Sequence, residues 1–480
     1  MLPLFDTPSH LALVRAWHSH SDPAYALMQH YSVSVEPVPY LFYYGFVHLL
    51  MYVAPIEIAH KLVLSVYLVA FPLSVAFLAR SASRSPWLAL LVFPLAYNRS
   101  WGYGFIAYLL GIVCGIVAFA FLIRYTRSGL RRDLLGFGLA ITTTYFFHIL
   151  PWAVFGLASA LALPVARTPW KRSALAMGST LPGVGALVWN AIFSAEGRSK
   201  FFDESQTPST PGDWHDWRTR FAEFVQWCND IVQGPMDTIV FAMLGVTVLV
   251  FFALAWRYRS PQPSETRVAT RMLVVLLVCT AAACFLLPFS LYDPVLIWAL
   301  APRLAPLFVV ALVVLPVVEV CGVRAVFMVP LAIANLLLLI QVSSLYRDFS
   351  RRNVSVLRMC DTLPRGKTVL VLMRGRTVET DIVTPLDPVA SLPAYRHFRS
   401  WPMALLGGHS DRPFYQGIPV RPHVKYPSRD DNPNAYSLAL GPYYDYYIVR
   451  GLAPDFDSSS VVTRITTRGQ WSLYAHNVKN

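Results

Sequence analysis

The sequence predicts a mainly α-helical, polytopic membrane protein that ends in a small extracytoplasmic α/β domain. Three observations carry this. Of 480 residues, 55% are hydrophobic and only 14% charged, against about 25% charged in an ordinary soluble protein. The apolar residues fall in runs near the roughly 17–25 residues that a helix needs to cross a bilayer. From about residue 343 the composition changes, and short β-rich segments appear.

Apolar runs at about 58–79, 86–97, 104–123, 134–150, 152–166, 173–194, 238–256, 272–290, 295–317 and 325–342 read as ten spans. The run 86–97 is short and borrows from its flanks. The division expected is 1–57, an outer loop with interfacial helices; 58–342, the helical membrane domain; and 343–480, the soluble domain.

Loop charge sets the orientation. One alternate set of loops holds Arg80, Arg84, Arg124, Arg127, Arg131, Arg132, Arg167, Lys171, Arg172, Arg257, Arg259, Arg267, Arg271 and Arg324. The intervening short loops hold Arg99 and almost no other cation, so the positive set is expected in the cytoplasm. The loop at about 195–237 and the tail then face outside. The formal charge of +13 is explained by these loops, and a nucleic-acid partner is not expected.

The run 38–54 has two readings. As a full span it puts the amino terminus inside. As a short aromatic helix in the interface it leaves the amino terminus on the tail's side. Pro37 and Pro39 before it and Pro55 after it favour the second. In the outer loop, after a stretch that includes Asp203 and Glu204, Trp214 to Val232 reads either as an aromatic interface anchor, the favoured reading, or as an amphipathic surface helix. In the tail, Lys367 to Met373 and Tyr444 to Val449 read as buried strands. The six cysteines have no disulfide or zinc spacing, and Met1 to Asp6 is too short for a signal peptide. Asn98-Arg99-Ser100 and Asn353-Val354-Ser355 match the N-glycosylation pattern, a weak signal at this length.

No phosphate loop, H-E-x-x-H pair or G-x-S-x-G elbow occurs. Three places could carry chemistry. Asp6 and His10 share one face of a helix at i, i+4; Asp6 is either a general base or the cap of that helix. His148, beside Pro151, is a functional group at an outer helix end or an interface side chain. Arg303, with Asp293 and Tyr292 nearby in sequence, either pairs internally or offers its planar fork to a phosphate.

These features resemble the GT-C superfamily of membrane glycosyltransferases, in the style of the protein mannosyltransferases and bacterial aminoarabinose transferases. The resemblance lies mainly in residues 1–80. Asp6 corresponds to the aspartate of the first outer loop, Glu36 to Tyr44 to the Pro-containing aromatic stretch, and Pro55 to Lys61 to the opening of the next helix. Thr7 stands where a second acidic residue is common, and the helix that the family carries ahead of its aspartate is expected either upstream of this chain start or lost in this member. Uncharacterised bacterial multi-pass proteins with an Asp-x-Pro-x-His start are nearer still.

The resemblance implies a polyprenyl-phosphate-linked sugar as donor and an extracytoplasmic acceptor. It implies Asp6, with His10, as the catalytic group, and Arg303 with His148 at the donor phosphate, supported by Asp293 and Tyr292. It also implies a bacterial inner membrane. Whether a divalent cation takes part stays open, and no metal ligand set is assigned. The competing reading is a non-catalytic transport or envelope-assembly component.

Overall fold

The computed structural model describes residues 2–193, 212–232, 234–258, 261–292, 297–373, 398–409, 420–422 and 444–477. Asp203, Glu204 and Asp293 lie outside them.

The chain is mainly helical with a small strand-containing C-terminal region. The helices longer than one turn are α1 Thr7–His18, α2 Leu41–Leu50, α3 Ile56–Ser81, α4 Ile106–Ser128, α5 Arg131–Phe147, α6 Ile149–Val165, α7 Trp170–Gly178, α8 Leu181–Phe193, α9 Trp217–Asn229, α10 Met236–Arg257, α11 Ser264–Leu286, α12 Ala305–Val314, α13 Val329–Cys360 and α14 Trp401–Leu406.

Among the described residues, five helices are long and apolar enough to cross a bilayer: α3, α4, α10, α11 and the one ending at Cys360. The pair α7 and α8, bent by 43°, makes a sixth when taken as one. About ten spans were expected, the run 86–97 being short. The run 86–97 is mostly a 3₁₀ helix, Pro86–Val92, because Pro86 and Pro94 interrupt α geometry. The expected 295–317 span reduces to Pro302–Val314, about 20 Å long. The last helix continues to Cys360, past the expected boundary at 342.

Side-chain exposure fits an apolar solvent. On α3, Ile58, Leu62, Val66, Val69 and Leu73 form one stripe and are 45–62% exposed. The opposite face buries Val63, Tyr67, Phe71, Val75 and Leu78. On α13, Val329, Ile333, Leu336 and Ile340 are likewise exposed. In water such stripes would be costly; against lipid they are not.

The basic loops gather at one end of the bundle. Arg84 donates to Ala82, to Thr270 Oγ1 at 2.6 Å and to the Leu315 carbonyl at 3.3 Å. Arg127 donates to the Ser81 carbonyl at 2.9 Å and pairs with Glu265. Arg124 pairs with Asp133 at 3.0 Å.

The amino-terminal segment and the tail meet at the other end. Strand β1, Tyr31–Val33, pairs antiparallel with β5, Val420–Pro422. Helix α1 lies against α14: Ser9 Oγ is 3.3 Å from Ser400 Oγ, and Arg15 donates to the Ala404 carbonyl at 2.9 Å. Helix α2 has ten residues, about 15 Å against a hydrocarbon core of about 30 Å, so by length alone it falls short of a crossing.

Residues 367–373 and 444–449 do form buried strands. Strand β4, Val369–Met373, pairs in parallel with β6, Tyr446–Arg450. Strand β8, Trp471–His476, then pairs antiparallel with β6 and with β7, Val462–Arg468. A two-residue ladder joins β2, Gly212–Asp213, to β3, Ser290–Leu291. Within 214–232 the chain forms a helix, α9, capped by Asp216, which accepts from the Arg218 and Thr219 amides. Asn98 and Asn353 are buried, their amides donating to the Leu95 and Phe349 carbonyls; neither is open to modification in this fold.

Candidate functional site

Asp6 stands at the N-cap position of α1, yet its side chain makes no capping hydrogen bond. The expectation of a helix cap fails in that respect. The carboxylate is 5% exposed. Its backbone is held by the turn before α4: Phe5 N–H donates to the Gly102 carbonyl and Asp6 N–H to the Tyr103 carbonyl, both at 3.0 Å. Gly104, at φ +77°, makes this approach possible; a Cβ there would lie 3.2–3.4 Å from Thr7 and the Asp6 nitrogen.

Arg303 arrives from the 3₁₀ turn Pro302–Leu304, just before α12. It is 7% exposed, and among the described residues its Nε has no hydrogen-bond partner. The guanidinium lies 4.0 Å over the Phe105 ring and 5.9 Å from the Trp298 ring. Trp298 packs edge-on against Tyr103, and Trp227 stacks on Tyr103. Aromatic faces hold a cation without neutralising it, and a buried cation still calls for an anion. Electrostatically, Arg303 interacts with Tyr40, Tyr108, Asp6 and Tyr103.

His148 joins the same cluster. Its Nδ1 accepts the Leu150 backbone N–H at 3.0 Å. An amide nitrogen can only donate there, so in the neutral ring the proton sits on Nε2. Nε2 is 3.0 Å from the Tyr40 hydroxyl. Tyr108 packs edge-on against His148 and donates its hydroxyl to the Arg303 carbonyl at 2.6 Å. The structure therefore brings Asp6, Arg303 and His148 to one end of the bundle, joined through Tyr40, Tyr103 and Tyr108.

Of the other sequence-selected residues, His10 lies one turn along α1 from Asp6, its N–H donating to the Asp6 carbonyl at 3.1 Å, and Tyr292 lies elsewhere. His10 Nδ1 meets the Tyr44 hydroxyl at 2.6 Å, and burial pushes its imidazole down to about 4. Tyr292 donates to Asp213 beside the β2–β3 ladder. Tyr292 was expected in a supporting role near Arg303; its partner here is Asp213, and Asp293 lies outside the described residues.

Sequence reasoning missed His60, Tyr40, Tyr43, Tyr108, Phe105 and Trp298. His60 is buried, with Nδ1 3.1 Å from the Tyr43 hydroxyl and Nε2 3.5 Å from Thr7 Oγ1. The one available signal was the density of aromatic and histidine residues between positions 40 and 60. Tyr40 has a further mark that no sequence displays: φ +71°, a left-handed backbone that costs a non-glycine residue about 1–3 kcal/mol.

Among the described residues, no group of three or more His, Cys, Asp or Glu is placed to hold a metal ion. No family model, curated protein or solved structure matches the chain.

Proposed function

We propose that the chain is a GT-C-like integral membrane glycosyltransferase, which moves a sugar from a polyprenyl-phosphate donor to an extracytoplasmic acceptor. The observation that carries this reading is the electrostatic interaction of a buried guanidinium, Arg303, with a buried carboxylate, Asp6. Asp6 takes the proton of an acceptor hydroxyl or amine as that group attacks the anomeric carbon. The carbon–oxygen bond to the phosphate breaks, and its electron pair leaves with the phosphate oxygen. Arg303 neutralises that charge, with His148 behind it.

In this reading the shorter apolar segments complete a set of about ten crossings. The basic end faces the cytoplasm, and the tail lies outside a bacterial inner membrane. The acceptor approaches from the tail, α9 and the aromatic cluster at Trp298.

The second reading, a non-catalytic transport component, draws on the 43° break between α7 and α8, since broken helices line many transport sites. One substitution separates the two. Asp6→Asn keeps the volume and removes the base. Sugar transfer should fall to background while expression and melting temperature hold; full transfer by this variant would rule out the enzyme as described.

A further inference from the structure

Tyr40 is a half-buried residue with a left-handed backbone at the start of α2. Among its contacts, two fix its ends. Its N–H donates to the Phe147 carbonyl at 3.2 Å, and its hydroxyl lies 3.0 Å from His148 Nε2. Strain of this kind persists where the surroundings over-determine a position, and it gathers at functional sites.

The hydrogen-bond directions follow from one fixed donor. Leu150 N–H donates to His148 Nδ1, so Nε2–H donates to the Tyr40 oxygen. The Tyr40 proton must then point away from His148. Arg303, just before α12, interacts electrostatically with Tyr40, and its Nε has no hydrogen-bond partner among the described residues.

We propose that Tyr40 is a second donor, beside Arg303, in a site for a phosphoryl oxyanion, and that His148 is a positioning residue that aims the Tyr40 hydroxyl. This deepens the proposed function and rests on its reading of this end of the bundle as the donor site. It moves His148 out of direct contact with the phosphate. The chain Leu150 amide, His148, Tyr40 presents one neutral O–H, and Arg303 presents the charge. Together they offer two donors to one oxyanion, the pairing that a phosphate monoester or diester headgroup uses best.

The test is binding by the full chain in detergent micelles, with polyprenyl phosphate, polyprenol and inorganic phosphate as probes. The wild type should hold polyprenyl phosphate more tightly than polyprenol. Tyr40→Phe keeps the ring and the backbone, and should weaken polyprenyl phosphate about tenfold or more, the worth of a hydrogen bond to a charged group, while polyprenol binding is unchanged. His148→Ala should lose a similar factor, and His148→Gln, whose amide can still donate, should lose less. The Tyr40→Phe/His148→Ala pair should bind no worse than the weaker single variant, because the two act through one contact.

Competition by inorganic phosphate would place the recognition in a free oxyanion; its failure to compete, with polyprenyl phosphate still bound, would place it in the lipid headgroup. Wild-type binding in Tyr40→Phe, multiplicative losses in the pair, or no preference for polyprenyl phosphate over polyprenol would each overturn the proposal. Tyr40-dependent phosphate binding in a chain with no Asp6-dependent transfer would keep this site and remove the glycosyltransferase reading.

Discussion

Histidine protonation is the residue-scale property most open to measurement. Burial lowers His10 to about 4 and His409 to about 3, against an ordinary 6.5. His409 lies 3.0 Å from the Tyr31 hydroxyl, with His30 nearby at 5.7 Å between ring centroids. Both groups stay neutral in the fold while the unfolded chain takes up protons below about pH 6.5. Protonation thus favours the unfolded state, and stability should fall as pH drops from 6.5 towards 4 and be flat above 7. Melting temperature across that range checks this, with His409→Gln reducing the slope. A melting temperature equal at pH 7 and pH 4.5 would contradict the assignment. The same scale shows how far residues were legible. Asp6, His148 and Arg303 stood out because ionisable groups are rare in an apolar sequence. Tyr40 and Tyr108 did not, since their roles come from a left-handed backbone and a cross-helix carbonyl, neither of which leaves a mark in composition.

Elements meet through a few close backbone approaches, and glycine governs them. Gly104 lets the turn before α4 touch α1 at Asp6 and Thr7. Gly407, at φ +80°, lets the chain after α14 pass Tyr25; a Cβ there would lie 2.4 Å from the Tyr25 carbonyl oxygen. Gly104→Ala should displace Asp6 and cut transfer at least tenfold with a small loss of stability. Gly407→Ala should instead loosen the tail from α1 and raise protease cleavage around residues 398–409, with the helical bundle intact. Equal behaviour of the two variants would contradict this division of labour. Element types were legible where the pattern was long: α3, α4, α10 and α11 follow from hydropathy, and β4 and β6 from their β-rich runs. The short segments were not, because a run such as 86–97 scores as apolar whether it forms α or 3₁₀ geometry.

At the scale of the whole molecule, the two ends of the bundle differ in chemistry. One end is tied by Arg84, Arg124 and Arg127. The other gathers the amino-terminal segment, the tail and the Asp6–Arg303 cluster. Loop charge alone foresaw that segregation, because alternate loops of an up-and-down bundle must share an end. It could not foresee how tightly residues 7–40 bind the tail, since pairs such as Tyr31 with Pro422 join distant stretches with no local signal. In the proposed reaction a donor phosphate meets Arg303 while Asp6 faces the acceptor. Binding of a polyprenyl-phosphate-linked hexose to purified wild type, Asp6→Asn and Arg303→Gln tests it most directly. Wild type and Asp6→Asn should bind alike and Arg303→Gln should lose at least tenfold in affinity; equal binding by all three, or none by the wild type, would contradict the account.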